Sequence, residues 1–276
     1  MKIATWTVIL DDEYYIDLAL RSSAPHVQGM YIQDQGCTDN SIEVIKETMK
    51  DYPDTPYVIE SEFTHLPKYK SVEYEFRAKA VKRCEEIFKP DWLLLLDADE
   101  FFTEEFFELL NTVDLKGYNG VFSSCERFIT PEYKDACFQS SIWINDKGWK
   151  TKEKGNGKRY TDPHCRFWRS GLGIKHVQNP GSGGFLHCML SPEPEPMYIA
   201  PSEGTYLCHL HRSFGPKAFE FWSEGGDIFE WKTPFNPRRQ APIWWSNEIN
   251  LPSAEKSNFR WPEYVMKKWR EWGNYD

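Results

Sequence analysis

The chain has 276 residues, enough for one α/β domain with a sizeable core or for a nucleotide-binding half with a smaller appended half. Hydrophobic residues at 40% and charged residues at 27% exclude a disordered chain, and a formal net charge of −9 disfavours non-specific attraction to nucleic acid or anionic lipid. Seven cysteines, an odd number with no C-x-x-C pair, read as free thiols and not as a disulfide scaffold.

From the N-terminus, Lys2 to Leu10 reads as a buried strand, rich in β-branched residues and ended by Asp11-Asp12-Glu13. Its apolar part is short, alternates with Thr and has no small-residue cleavage site, so it is read as a strand and not as a signal peptide. No apolar run approaches the length of a membrane span, and the expectation is a cytoplasmic protein. Glu13 to Ser23 reads as a helix closed by Pro25, and Val27 to Gln33 as a second strand broken at Asp34-Gln35-Gly36-Cys37-Thr38-Asp39. Asn40 followed by Glu43 has the pattern of a capping box opening a helix through Lys50, and Tyr57 to Glu60 is a short third strand.

Val72, Phe76, Ala80, Cys84 and Phe88 recur every four residues and form the apolar stripe of one long helix. Leu93 to Leu96 is a continuous apolar run, which suits a central parallel strand covered on both faces. Thr103 is placed to cap a helix running to about Asn111. This strand–helix alternation predicts an open, mostly parallel Rossmann-like sheet flanked by helices. From Gly117 onward Pro, Gly and aromatic residues dominate until a terminal helix from Pro262 to Trp272. The chain is accordingly divided into an α/β half, residues 1–115, and an irregular, aromatic-rich half, residues 116–276.

The segment that concentrates chemistry is Leu96-Asp97-Ala98-Asp99-Glu100. In an open α/β sheet, ligands bind beyond the carboxyl ends of the strands, where these acids sit. Three carboxylates in four residues repel one another, and a divalent cation relieves that repulsion. Oxygen ligands favour Mg²⁺ or Mn²⁺, which bind through one or two carboxylates plus substrate phosphates. The competing reading is an acidic turn that caps the following helix through its dipole.

With the turn Tyr31-Ile32-Gln33-Asp34-Gln35-Gly36-Cys37-Thr38-Asp39, the acids Asp11-Asp12-Glu13, Arg77 and Asp91-Trp92-Leu93-Leu94-Leu95-Leu96-Asp97-Ala98-Asp99-Glu100, the first ~110 residues resemble the family-two glycosyltransferases of the GT-A fold. The resemblance implies a nucleotide-sugar donor of the UDP class and a metal-dependent, inverting transfer, with residues 1–115 as the nucleotide-sugar-binding half and residues 116–276 as the acceptor-binding half. It places Asp11, Glu13, Asp34, Arg77, Asp97 and Ala98 at the donor and Asp99 on the metal. Cys37 stands where the family has serine. Asp34 also reads as an Asx-turn residue, and Arg77 as a solvated helix charge.

Further on, a late His in such enzymes completes the metal's coordination, and Tyr206-Leu207-Cys208-His209-Leu210-His211-Arg212 resembles that segment. Spacing leaves His209 and His211 both open, with His209 preferred, and Arg212 suits the leaving diphosphate. A structural zinc site is the rival reading of the downstream His and Cys residues, although their spacing matches no finger or ribbon. Arg166-Phe167-Trp168-Arg169 also resembles a family segment and puts Arg166 or Arg169 at the donor pocket or in ion pairs. The base is sought among Asp162, Glu224 and Asp227, and acceptor platforms among Trp222, Trp231, Trp244 and Trp245. The acceptor class stays open among glycans, lipid-linked saccharides and other hydroxyl compounds. A nucleotidyltransferase and a non-catalytic carbohydrate-binding protein are the alternative functions.

Overall fold

A computed structural model of the protein describes residues 1–62, 73–130, 133–135, 141–144, 150–151, 158–161, 164–178, 188–201, 204–210 and 254–273. Contacts group the chain into two compact units interleaved in sequence: Met1–Ser123 with His164–Gly204, and Ser124–Pro163 with Thr205–Asp276. The boundary drawn near residue 115 from sequence falls inside the first unit.

The first unit is built on a seven-stranded sheet. Its leading strands are β1 (Ile3–Ile9), β2 (Gly29–Asp34), β3 (Tyr57–Ser61) and β4 (Trp92–Leu95). They lie in the order β4-β1-β2-β3, and each pairs with its neighbour in parallel. Every residue of β1, β2 and β4 is buried, as expected for parallel strands covered on both faces, whereas β3 at the edge is half-exposed. The α/β class expected from the sequence is therefore the one observed.

Helices α1 (Ile16–Ser23), α2 (Ser41–Met49), α3 (Glu73–Phe88) and α4 (Glu104–Thr112) connect and cover these strands, with a short β5 (Glu100–Phe102) between β4 and α4. On α3, Phe76, Ala80 and Cys84 of the predicted stripe are buried, and the Cys84 thiol donates to the Thr5 carbonyl across the sheet. The end of α3 crosses β2 so closely that a Cβ on Gly29 would lie 2.3 Å from the Phe88 ring, which explains the glycine there. Two helix starts test the capping arguments. Thr103 caps α4 as expected, accepting the Phe106 N–H at 3.3 Å. The Asn40/Glu43 box does not form: the Asn40 side chain makes no cap, and its backbone N–H donates instead to Glu13. Asp39 takes over, accepting both the Ser41 N–H and the Ser41 hydroxyl.

The region read as irregular from sequence supplies strands to this same sheet. β12 (His164–Arg169) runs antiparallel to β4 and to β6 (Gly120–Ser123), and β15 (Met197–Ile199) lies parallel to β6. β13 (Lys175–Gln178) and β14 (Cys188–Ser191) form a separate two-stranded ribbon. These strands are three to six residues long and come from distant parts of the chain, too short to show a clear period.

In the second unit, β7 (Cys125–Thr130), β8 (Tyr133–Asp135), β16 (Leu207–His209) and β17 (Ala254–Lys256) form a sheet in the order β17-β8-β7-β16. A smaller sheet holds β9 (Ser141–Ile144), β10 (Lys150–Thr151) and β11 (Lys158–Thr161). The terminal helix α5 (Glu263–Gly273) buries Val265 and Trp269, and Phe128, Phe259, Trp261 and Trp269 form a chain of edge-to-face and tilted ring contacts. No helix among the described residues is long and apolar enough to cross a membrane.

Candidate active site

After β1 the chain places β2 on one side of it and β4 on the other, so the order of the sheet reverses beside β1. The crevice beyond the carboxyl ends of such strands is where open α/β sheets take ligands. Two acidic segments flank it in the first unit: residues 11–13 after β1, and residues 97–99 after β4.

The turn after β4 is held by a buried ion cluster. Arg77 from α3 meets Asp97 Oδ1 at 2.7 Å, and Arg166 from β12 meets Asp97 Oδ2 at 2.9 Å. Arg166 also pairs with Glu100, whose side chain is only 1% exposed. Burial works against the charge on Arg166, but Glu100 and Asp97 outweigh it and hold the guanidinium protonated. The carboxylate repulsion that seemed to require a cation is thus relieved for Asp97 and Glu100 by two arginines. Arg77 is neither solvated nor idle: its side chain is 12% exposed and fixed on Asp97. Arg169, the alternative to Arg166, donates to the carbonyls of Tyr118 and Leu115 and lies over the Trp92 ring, a packing role. Ala98 is buried, and Asp99 stands half-buried on the turn, which the Glu100 N–H closes onto the Asp97 carbonyl at 3.0 Å.

His176, which the sequence reading missed, borders this cluster. It is buried, edge-on to Trp6 with ring centroids 5.3 Å apart, and close enough to Arg77, Asp97 and Arg166 to feel their charges. Burial first, and then Arg77, push its pKa down to about 3, so the folded state holds it neutral. The only sequence signal was its alternation with buried Ile174 on an otherwise exposed stretch. An unfolded chain takes a proton on this imidazole near its ordinary value of 6.5, while the folded chain does not until about 3. The stability tied to it is therefore complete above 6.5 and drains as pH falls toward 3. Between pH 6.5 and 4.5, wild type should lose roughly 2–3 kcal/mol more than His176→Phe, read from urea unfolding at each pH. Parallel losses in the two proteins would show that His176 is not held neutral.

The segment after β1 is clasped to the turn after β2. Asp11 has a left-handed backbone, φ 55°, and its Oδ1 accepts the Thr38 N–H at 2.6 Å and the Asp39 N–H at 3.3 Å. A non-glycine residue in that region is held there by its surroundings, and these bonds supply the hold. The Asp11 N–H in turn donates to Cys37 Sγ at 3.2 Å. Burial raises the Cys37 thiol well above its ordinary range, so the residue in the serine's place is a protonated acceptor built into the clasp. Asp34 accepts the Gly36 and Cys37 N–H groups, both at 2.8 Å, and forms an Asx turn. Burial opposes its ionisation, yet the bonds from Cys37, Ser61 and Gly36 prevail and hold its carboxyl below the usual range. Glu13 accepts from the Asn40 backbone and side-chain amides. Asp11, Cys37 and Asp39 bring one ligand atom each within 4.8 Å of one another, the only such trio among the described residues. Backbone donors already occupy the Asp11 oxygen.

Asp11, Glu13 and Asp34 are thus gathered in one network, and Arg77, Asp97 and Arg166 in a second. His209 is half-buried at the end of β16 in the other unit. His211, Arg212, Asp162, Glu224, Asp227 and the four candidate platform tryptophans lie outside the described residues.

No protein-family model matches the chain, and no curated protein matches it. Solved structures do. A mannosyltransferase from Pyrobaculum calidifontis in complex with GDP-Man and Mn²⁺ aligns at 12% identity and TM-score 0.35, over 46% of this chain and 36% of that one. Glucosyl-3-phosphoglycerate synthase from Mycobacterium tuberculosis, in complex with Mn²⁺, UDP and phosphoglyceric acid, aligns at 17% identity and TM-score 0.33, over 46% of this chain and 43% of that one. These neighbours are glycosyltransferases. The alignment spans less than half the length of either.

Proposed function

We propose that this protein is a metal-dependent glycosyltransferase that moves a sugar from a nucleoside-diphosphate donor, of the UDP class, to an acceptor hydroxyl with inversion. The reading rests on the acidic turn at the switch point of the sheet: Asp97 is immobilised by two guanidinium groups, and Asp99 is carried beside it on the same tight turn.

A cation fits this turn through the chemistry of its donor set. Asp99 offers a hard carboxylate oxygen on a fixed backbone, and Mg²⁺ or Mn²⁺ complete their shells with water and substrate phosphate where the protein supplies one or two carboxylates. Bound there, the cation would offset negative charge on the diphosphate as the sugar leaves. The chain's own residues perform the positioning. Arg77 and Arg166 hold Asp97, Asp97 and Glu100 hold the turn, and the turn presents Asp99. Across the switch point, Asp11, Asp34 and Glu13 shape the loops beside which the base and ribose would lie, and their carboxylates act by fixing backbone. In this reading residues 1–115 supply the donor side and residues 116–276 the acceptor side, with Arg212 on the diphosphate, His209 as a further metal ligand, and Glu224 or Asp227 as base.

Calorimetric titration of UDP into the protein with Mn²⁺ and with EDTA tests the reading. Saturable binding should appear with Mn²⁺ and fall at least about tenfold in EDTA, a difference of about 1.4 kcal/mol. Binding unchanged by EDTA removes the metal, and no binding of any nucleoside diphosphate in either buffer removes the function.

A further inference from the structure

The second unit contains a cavity of about 560 Å³ lined by residues with no part in the site above. That is the size of a small-molecule pocket. Its walls carry Lys134, Lys256 and Arg260 against a single acid, Glu126. Lys134 meets Glu126 at 3.1 Å, so Lys256 and Arg260 remain as a surplus of positive charge in a chain whose net charge is −9. Neither of them is in an ion pair among the described residues.

The end of β17 and the segment after it present donors in a row. Lys256, Asn258 and Arg260 are exposed, Ser257 and Phe259 between them are half-buried, and all five border the cavity, so an ammonium, an amide, a guanidinium, a hydroxyl and a ring meet around it. Ser257 Oγ accepts the Phe259 N–H at 3.1 Å, which leaves its hydroxyl proton for an acceptor in the cavity. Phe259 adds an apolar wall, backed by Phe128 and Trp261. Two cations, an amide, a hydroxyl and a ring around a volume open to solvent on one side suit a compact organic molecule that carries a phosphate group.

The geometry points to this cavity as a binding site for a small phosphate monoester, with the phosphate held by Lys256, Arg260 and the Ser257 hydroxyl and the organic part against Phe259. It stands independently of the transferase reading, because it requires neither a nucleotide nor a metal. Glu126 faces the same space, and its pairing with Lys134 keeps it from repelling the ligand.

Calorimetry with sn-glycerol 3-phosphate, run in EDTA at low salt without any nucleotide, provides the test, with glycerol as the uncharged control. Saturable binding of the phosphate ester and none of glycerol is expected. Lys256→Ala and Arg260→Ala should each weaken binding by about tenfold, as for loss of one charge-assisted hydrogen bond, and Asp99→Asn should leave it unchanged. Both cations are exposed, so circular dichroism should show folded variants. Absence of binding overturns the proposal, as does binding that survives both substitutions or that glycerol matches. Because donor and metal are left out, a negative result here leaves the UDP titration untouched, and the reverse holds too.

Discussion

Arg166→Ala should destabilise the protein by about 3–5 kcal/mol, measured by urea unfolding. The guanidinium touches Asp97 Oδ2 and Glu100 together, and Glu100 is 1% exposed. Removing the cation takes the ion pair from a carboxylate in a place water hardly reaches and removes one of the two arginines that pair with Asp97. The loss comes from the stranded charge and not from the intrinsic strength of the pair, since desolvation cancels much of the attraction between buried ions. The double variant Arg166→Met with Glu100→Gln should therefore recover most of the stability. The deficit of the single variant should also shrink as pH falls and the stranded carboxyl takes up a proton. A loss within about 1 kcal/mol would mean that the cluster does not hold the turn.

What could be read in advance divides along the range of the interactions. Apolar runs and periodic stripes are local, so β1, β2, β4 and α3 stood out, and Thr103 capped α4 as its neighbours required. The turn chemistry of Asp34 was also visible, because an Asx turn is made within four residues. The partner of Glu100 was not, because Arg166 lies 66 positions away on a strand from the part of the chain that looked irregular. For the same reason the three acids appeared to need a metal, when two of them had arginines. The Asn40–Glu43 box failed for a related cause. Glu13, brought alongside by the pairing of β1 with β2, reached the Asn40 N–H that Glu43 was expected to take. Local pattern is blind to such competition, and His176 shows the same limit: only the fold reveals that its neighbours are two tryptophans and the ion cluster.

The division of labour within Asp97-Ala98-Asp99 leads to the second large effect. Asp99→Asn keeps the shape of the side chain and removes its charge, at a half-buried position on a turn that other bonds close. Unfolding free energy should change by no more than about 1 kcal/mol, because the backbone bond and the ion pairs of Asp97 and Glu100 hold the turn. Turnover should fall by about 10²–10³, the usual loss when one preorganised electrostatic group is deleted from a reacting centre. The readout is Mn²⁺-dependent release of nucleoside diphosphate from a panel of nucleotide sugars. Asp97→Asn should behave differently, because its carboxylate pairs with Arg77 and Arg166 at 2.7 and 2.9 Å, and the amide removes the negative charge that lies between these two buried cations. That variant should lose stability first, by about 3–5 kcal/mol, and activity as a consequence. The pair separates a residue that meets the metal from one that positions it. If Asp99→Asn turns over like wild type while Asp97→Asn is merely unstable, the turn is a structural ion cluster and the chemistry lies elsewhere.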